Sequence, residues 1–357
     1  MPWAEIDTPA LLLDLDRVER NIATMAAFFA GQRANLRPHF KTPKCPQVAK
    51  LQLEAGAIGI TCAKIGEAEE IAKAGLDASV LIANQIVGAP KLARLVELAG
   101  RLPELIVAVD SAEQVHALDE AVAQSGARIG ALVEADTGMH RCGTDAPEET
   151  VELARALERS RVEYRGLMGY EGHAVLIPDA EKRAALAGQA VATLQAHRQA
   201  LVDAGLEPGI VSAGGTGTHD ISGVAPGITE IQAGSYVFMD GAYSRVRDEF
   251  EPALTILTTV LRRRGQLLIT DCGSKALSRD FGMPTGADLP LAVVGLSEEH
   301  GHVQIDEGEE LDLAPGDKIR LLPSHGDTTI NLHDTYHVMR GDRLETTWPI
   351  SARGKFR

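Results

Sequence analysis

Apolar positions along the chain fall into two textures. Over the first two thirds, short runs of Val, Ile and Leu alternate with longer amphipathic stretches rich in Ala, Glu and Leu. The short runs predict eight strands: Asn35–Phe40, Ile58–Ala63, Ser79–Asn84, Leu105–Asp110, Ile129–Glu134, Glu163–Tyr170, Gly209–Gly214 and Ile228–Phe238. After a first helix at Asp16–Phe29, the stretches between them predict helices over Glu67–Ala74, Lys91–Leu98, Glu113–Ala123, Glu148–Ser160 and Ala180–Ala204. Thr216–Gly227, between the last two strands, has room for one helical turn. Such alternation points to a parallel sheet, and eight units point to a closed (β/α)8 barrel of the TIM type. An open doubly wound sheet is the other reading, but no early G-x-G-x-x-G supports a dinucleotide fold.

Beyond about Glu249 the pattern changes. Leu254–Leu261, Gln266–Asp271, Leu291–Leu296, His302–Ile305, Lys318–Leu322, Thr335–Met339 and Leu344–Trp348 are short strand-like runs punctuated by Gly and Asp, with no long helix among them. This predicts a C-terminal all-β domain. The opening run Ala10–Leu15 has no barrel slot and is expected to join it. The division becomes a barrel over 16–245 and a β domain over 1–15 plus 246–357, which suits a chain of 357 residues.

Composition narrows the function. A formal charge of −15 argues against nucleic acid and anionic membranes, because phosphate surfaces reward Lys and Arg. An anion site must therefore be local. Cys45, Cys62, Cys142 and Cys272 form no C-x-x-C pair or disulfide framework, which suits a reducing cytoplasm. Met1–Thr8 is acidic and lacks the apolar run of a signal peptide, and no later stretch is long and apolar enough to span a bilayer.

In a β/α barrel the chemistry sits at the carboxyl ends of the strands. The first ends in Arg37-Pro38-His39-Phe40-Lys41, which leaves Lys41 either as a nucleophilic amine at the mouth or as a solvated lysine. The seventh ends in Ser212-Ala213-Gly214-Gly215-Thr216, and the eighth contains Gly234-Ser235-Tyr236. Glycine loops and hydroxyls at these two ends can cradle a phosphate, or can be ordinary turns. Arg141 follows a glycine turn after the fifth strand and can reach a phenolate or carboxylate, or pair with Asp136 or Asp145. Tyr170 and His173 follow the sixth. Tyr170 can contact an aromatic cofactor and His173 can move a proton, or both can simply pack at the rim. In the β domain, Ser324-His325-Gly326-Asp327 places a nitrogen and a carboxylate two residues apart. On an extended chain both face one way, as a metal pair would, although His-x-Asp alone is common.

Taken together, these segments resemble the fold-type III pyridoxal 5′-phosphate (PLP) enzymes, within them the D-threonine aldolase and D-serine dehydratase group. The likeness runs from Thr8-Pro9-Ala10-Leu11-Leu12-Leu13-Asp14 through Arg37-Pro38-His39-x-Lys41, Asp136-x-Gly138, Arg141-Cys142-Gly143, Gly169-Tyr170-x-Gly172-His173 and Ser212-x-Gly214-Gly215-Thr216. It ends at Ser297-Glu298-Glu299-His300-Gly301 and Pro323-Ser324-His325-x-Asp327. The resemblance implies an alanine racemase N-terminal-like barrel with Lys41 as the Schiff-base lysine. It places Arg141 near the phenolic oxygen, Tyr170 near the ring, and Gly214–Thr216 with Gly234–Tyr236 around the phosphate. It also implies a homodimer in which each β domain faces the other subunit's barrel. Pro43 departs from the pattern, since relatives often carry His there.

Asp327 separates the branches. Dehydratase-like members resemble His-x-Cys and hold zinc, whereas His325-x-Asp327 resembles the aldolases. Exchanging thiolate for carboxylate favours manganese or magnesium over zinc. The resemblance thus implies a D-threonine aldolase activity that splits D-β-hydroxy-α-amino acids into glycine and an aldehyde, with Lys41 and His173 in catalysis and His325 and Asp327 on the metal. A D-serine or D-threo-3-hydroxyaspartate dehydratase is the alternative. A non-catalytic PLP-homeostasis protein has no use for the β domain. A metal hydrolase on the same barrel would need a His-x-His at the first strand end, which is absent.

Overall fold

The computed structural model describes all 357 residues, Met1–Arg357. A strand β1 (Ala10–Asp14) leads into helix α1 (Leu15–Phe29). Then follow β2 (Asn35–Leu36), α2 (Pro46–Glu54), β3 (Ile60–Cys62), α3 (Ile65–Lys73), β4 (Ser79–Gln85), α4 (Ala89–Ala99), β5 (Glu104–Val109), α5 (Ala112–Ser125) and β6 (Gly130–Glu134). The series closes with α6 (Pro147–Glu158), β7 (Glu163–Met168), α7 (Ala180–Asp203), β8 (Ile210–Ala213), the single turn α8 (His219–Ser222) and β9 (Glu230–Ile231). Local chemistry sets the helix ends. Ser111 caps α5 by accepting the Gln114 N–H, and Gly126, left-handed at φ 70°, ends it.

Strands β2 to β9 form one parallel sheet in the order β2-β9-β8-β7-β6-β5-β4-β3. A parallel bridge between His39 and Thr61 joins its two edges, with Phe40 N–H on the Thr61 carbonyl (2.7 Å) and Thr61 N–H on the Pro38 carbonyl (2.9 Å). The ring is therefore closed. The eighth strand is shorter than expected: after Glu230–Ile231 the chain leaves the sheet, and Ser235–Val237 is a 3-10 turn. Helix α2, which follows a Pro-bearing segment, was not foreseen.

Aliphatic side chains fill the barrel, with Leu81, Ile106, Ala108, Leu132 and Met168 forming one cluster. Beneath them runs a charged layer. Arg37 Nε meets Glu230 Oε2 at 2.9 Å, and both are buried. Arg37 Nη1 donates to Ser79 Oγ (2.9 Å), Ser79 Oγ donates to Glu104, and Glu104 pairs with Arg165. Gly59 and Gly130 make room: a Cβ on Gly59 would overlap Arg37 Nη1, and one on Gly130 would lie 2.8 Å from Arg165 Cγ.

The second sheet uses β10 (Leu254–Arg264), β11 (Leu267–Thr270), β12 (Thr285–Gly286), β13 (Leu291–Leu296), β14 (Gly301–Ile305), β15 (Lys318–Leu322), β16 (Thr335–Arg340) and β17 (Arg343–Pro349), with helix α9 (Gly326–Ile330) between β15 and β16. Its nine strands run in the order β11-β14-β13-β12-β15-β10-β1-β16-β17. Strand β1 lies antiparallel to β10 and parallel to β16. By contact the chain forms a barrel unit (Met25–Lys41, Val48–Gly234 and Lys355–Arg357) and a β unit (Met1–Thr24, Thr42–Gln47 and Ser235–Gly354). The divisions fall inside α1 and before Ser235, whereas the sequence placed them at residues 16 and 245. No helix is long and apolar enough to cross a membrane.

Candidate active site

Within the barrel unit, Lys41 stands half-buried two residues beyond the closing bridge at His39, and its backbone N–H donates to His39 Nδ1 at 3.3 Å. The loop after β6 is folded by Asp136, whose Oδ1 accepts the N–H groups of Gly138, Met139 and His140 at 2.8, 2.9 and 3.1 Å. Arg141 emerges from that loop with its guanidinium 6.0 Å from the Tyr170 ring centre. Its nearest carboxylate is Glu134, 3.9 Å away, and not Asp136 or Asp145. Asp136 is occupied by backbone, while the Asp145 N–H turns to Glu149.

Glu134 was not singled out from the sequence. It is buried at the end of β6 and accepts from Gln85 Nε2 at 2.5 Å. Burial pushes its carboxyl above the usual range, against the pull of Gln85 and Arg141. The signal available was a glutamate closing an otherwise apolar strand, Gly130-Ala131-Leu132-Val133-Glu134.

The turn after β7 carries Tyr170, Glu171 and His173. Thr137 Oγ1 donates to the Tyr170 carbonyl (3.0 Å). His173 lies against Gly138, where a Cβ would sit 3.1 Å from His173 Cε1. His173 Nδ1 is buried and has no hydrogen-bond partner. Within β8, Ser212 Oγ accepts from Gln232 Nε2 at 2.8 Å. Gly214 adopts φ +78°, and a Cβ there would meet Ile231 at 2.7 Å. Its N–H goes to Glu171 Oε2 (3.2 Å), and the Gly215 N–H goes to Thr218 Oγ1 (3.3 Å). A Gly215 Cβ would stand 3.3 Å from Tyr170 Cε2, so the glycine keeps this loop close to the Tyr170 ring. Thr216 is buried, as is Gly234, the last residue of the unit's main segment.

The β unit holds the remaining candidates. Ser235 is half-buried, and Tyr236 is fully buried with its ring 5.7 Å from Phe250. His325 and Asp327 do not lie on an extended chain. His325 is the N-cap of α9, and Asp327 is its second residue. The Gly326 N–H between them donates to buried Asp240 Oδ2 (2.8 Å). Burial raises the Asp240 carboxyl to about 6, against hydrogen bonds from the Tyr243 and Gly326 N–H groups. His325 Nδ1 meets Asp280 Oδ2 at 2.7 Å, and its ring stacks on Phe281 at 3.9 Å. Burial acts to raise the Asp280 carboxyl, but hydrogen bonds from Ser278 and His325 and the charge of His325 hold it below its usual range. Asp327 Oδ1 is buried without a partner. No group of three or more His, Cys, Asp or Glu side chains converges to hold a metal, so a cation here would rest on two protein donors.

These groups fit the two ligands that the resemblance implies. For PLP there is an amine at a strand end, a glycine loop with no room for side chains, and a guanidinium over an aromatic ring. For a divalent cation there is an orphaned buried carboxylate oxygen on Asp327 and, on His325, an imidazole whose Nδ1 is already taken by Asp280, which leaves Nε2 as the nitrogen that could serve as a ligand.

The alanine racemase N-terminal domain family matches residues 13–241, and the serine dehydratase domain family matches 253–339. The chain is 38% identical to a D-threonine aldolase of Arthrobacter sp and 37% identical to a 3-hydroxy-D-aspartate aldolase of Paracoccus denitrificans (strain Pd 1222). Each match covers 99% of this chain and 94% of the relative. Identity to the D-threo-3-hydroxyaspartate dehydratase of Delftia sp. (strain HT23) is 32%, over 96% of this chain and 97% of the relative. The crystal structure of the D-threonine aldolase from Filomicrobium marinum superposes with a TM-score of 0.95 at 37% identity, over 100% of this chain and 98% of that one.

Proposed function

The chain belongs to the alanine racemase N-terminal domain family, and from that premise we propose a PLP-dependent aldehyde-lyase of the D-threonine aldolase type. It splits D-β-hydroxy-α-amino acids, D-threonine among them, into glycine and an aldehyde. The observation that carries this reading is full-length likeness to two aldolases at 37–38% identity, above the 32% shared with the dehydratase. Asp327, a hard oxygen donor in place of a thiolate, supports it.

In this reading the barrel (16–245) binds the coenzyme through Lys41. The segments Ser212 with Gly214–Thr216 and Gly234–Tyr236 receive its phosphate. The β domain (1–15 and 246–357) carries the metal pair. PLP supplies an electron sink for negative charge developing at the substrate's Cα. Arg141 orients the coenzyme from above Tyr170, and Glu134 steadies Arg141. His173 Nδ1, buried and unpartnered, takes the proton of the β-hydroxyl. His325 Nε2 and Asp327 Oδ1 would hold a divalent cation, manganese or magnesium over zinc, whose Lewis acidity lowers the pKa of a coordinated hydroxyl. The working form is a homodimer, and light scattering checks that.

Product analysis tests the activity. Purified protein given PLP, manganese and D-threonine yields glycine and acetaldehyde; ammonia with a 2-oxo acid would make it a dehydratase instead. The visible spectrum before and after borohydride tests the lysine. The wild type shows a coloured band that borohydride bleaches, and Lys41→Ala shows no band and loses at least about 10³-fold in turnover. Full turnover by a colourless Lys41→Ala protein would end this reading.

A further inference from the structure

We infer that Glu171 is a positioning residue of the coenzyme site, tying the turn that bears Tyr170 and His173 to the glycine loop after β8. This rests on the coenzyme reading above and goes beyond it, because Glu171 contacts neither lysine nor substrate there. The side chain is 2% exposed. Its Oε2 accepts the Gly214 N–H (3.2 Å), and its Oε1 accepts the hydroxyls of Thr218 (2.8 Å) and Ser222. Thr218 Oγ1 also accepts the Gly215 N–H, so one carboxylate holds two consecutive glycines, one directly and one through a hydroxyl. Ser222 ends α8, so the loop is fastened at both ends to the same group.

The placement along the chain gives these contacts their meaning. The residue before Glu171 is Tyr170, whose ring faces Gly215, and two residues after it comes His173, whose ring packs on Gly138. A shift of the glycine loop relative to this turn would move the phosphate cradle relative to the ring contact and the proton acceptor. Hydrogen bonds to an ionised acceptor are the strong kind, and a loop fixed before binding costs less to order on binding. There is an opposing effect. A buried carboxylate near a phosphate is a like charge and by itself weakens binding. The two effects predict opposite signs for removing the charge, which makes the role measurable.

The apoprotein is titrated with PLP, following the visible band, and the 31P resonance of the bound coenzyme is recorded. Glu171→Gln raises the Kd for PLP by about tenfold or more, the scale of one charge-assisted hydrogen bond, and shifts or broadens the 31P line. Thr218→Val does the same while leaving the carboxylate charged, and Ser222→Ala has a smaller effect of the same sign. Binding by Glu171→Gln as tight as or tighter than wild type would overturn the inference. If Glu171→Gln fails to fold, judged by the thermal midpoint of the apoprotein, unchanged affinity in both Thr218→Val and Ser222→Ala overturns it equally. If the wild type itself takes up no PLP, the coenzyme reading falls and this inference with it. If the wild type binds and Glu171→Gln matches it, only this inference falls.

Discussion

Two histidines, one in each unit, are set up in opposite ways. His325 is held from two sides: Asp280 fixes its Nδ1 and Phe281 stacks on its ring. His173 has its Nδ1 buried with no partner at all. A carboxylate on Nδ1 selects one tautomer and one ring orientation and leaves Nε2 a steady lone pair, which suits a metal ligand. A buried nitrogen without a partner is costly in the free protein and finds its hydrogen bond only when something else arrives. The same side chain is thus fixed by partners in one unit and left with an unmet hydrogen bond in the other, the contrast on which the proposed roles rest.

The largest effects separate the two. His173→Asn lowers kcat by about 10²–10⁴-fold with manganese affinity and coenzyme colour unchanged, the range for a lost acid–base group. His325→Asn weakens manganese binding, and excess metal recovers part of the turnover. If His173→Asn also loses the metal, or His325→Asn is indifferent to it, the division of labour is wrong. Asp280→Asn sharpens the point. Manganese affinity, measured calorimetrically, falls about 10- to 100-fold, as when a ligand's supporting hydrogen bond is lost. The smallest effect uses a third histidine as a control. His197 is buried in the barrel unit with Nδ1 2.7 Å from Thr150 Oγ1. Burial lowers its pKa although Glu148 and Glu149 pull it up. The folded state therefore favours the neutral ring. Its contribution is present above about 6.5 and is lost as the pH falls below that value, because the unfolded chain then binds the proton first. Thermal melts from pH 8 to 5 should show a wild-type decline that His197→Gln lacks.

The order of elements was legible because apolar runs and amphipathic stretches differ in period, and the barrel follows from counting them. Three things were hidden. Helix α2 begins at Pro46, three residues after Pro43, and these prolines interrupt the pattern that would have marked it. The strand expected through Phe238 stops at Ile231, since an apolar run does not reveal where the chain leaves a sheet. His325-x-Asp327 looked extended, yet Gly326–Ile330 is a helical turn too short to have a period. Of the candidate site, Lys41, Tyr170 and His173 are legible as strand-end residues. Glu134 and Glu171 were passed over because their partners (Gln85, the Gly214 N–H, Ser222) lie 43 to 51 residues away and only the fold brings them together.

The ion-paired layer under the barrel core works as a key. Sliding β9, which carries Glu230, or the chain at Arg37, just past β2, by a single residue would turn that side chain out of the barrel and leave its buried partner's charge stranded inside, a loss of several kcal/mol. Strand register is thereby secured at the end of the barrel remote from the chemistry. Loops at the open end can then be rebuilt for bulkier aldehydes without the staves slipping beneath them.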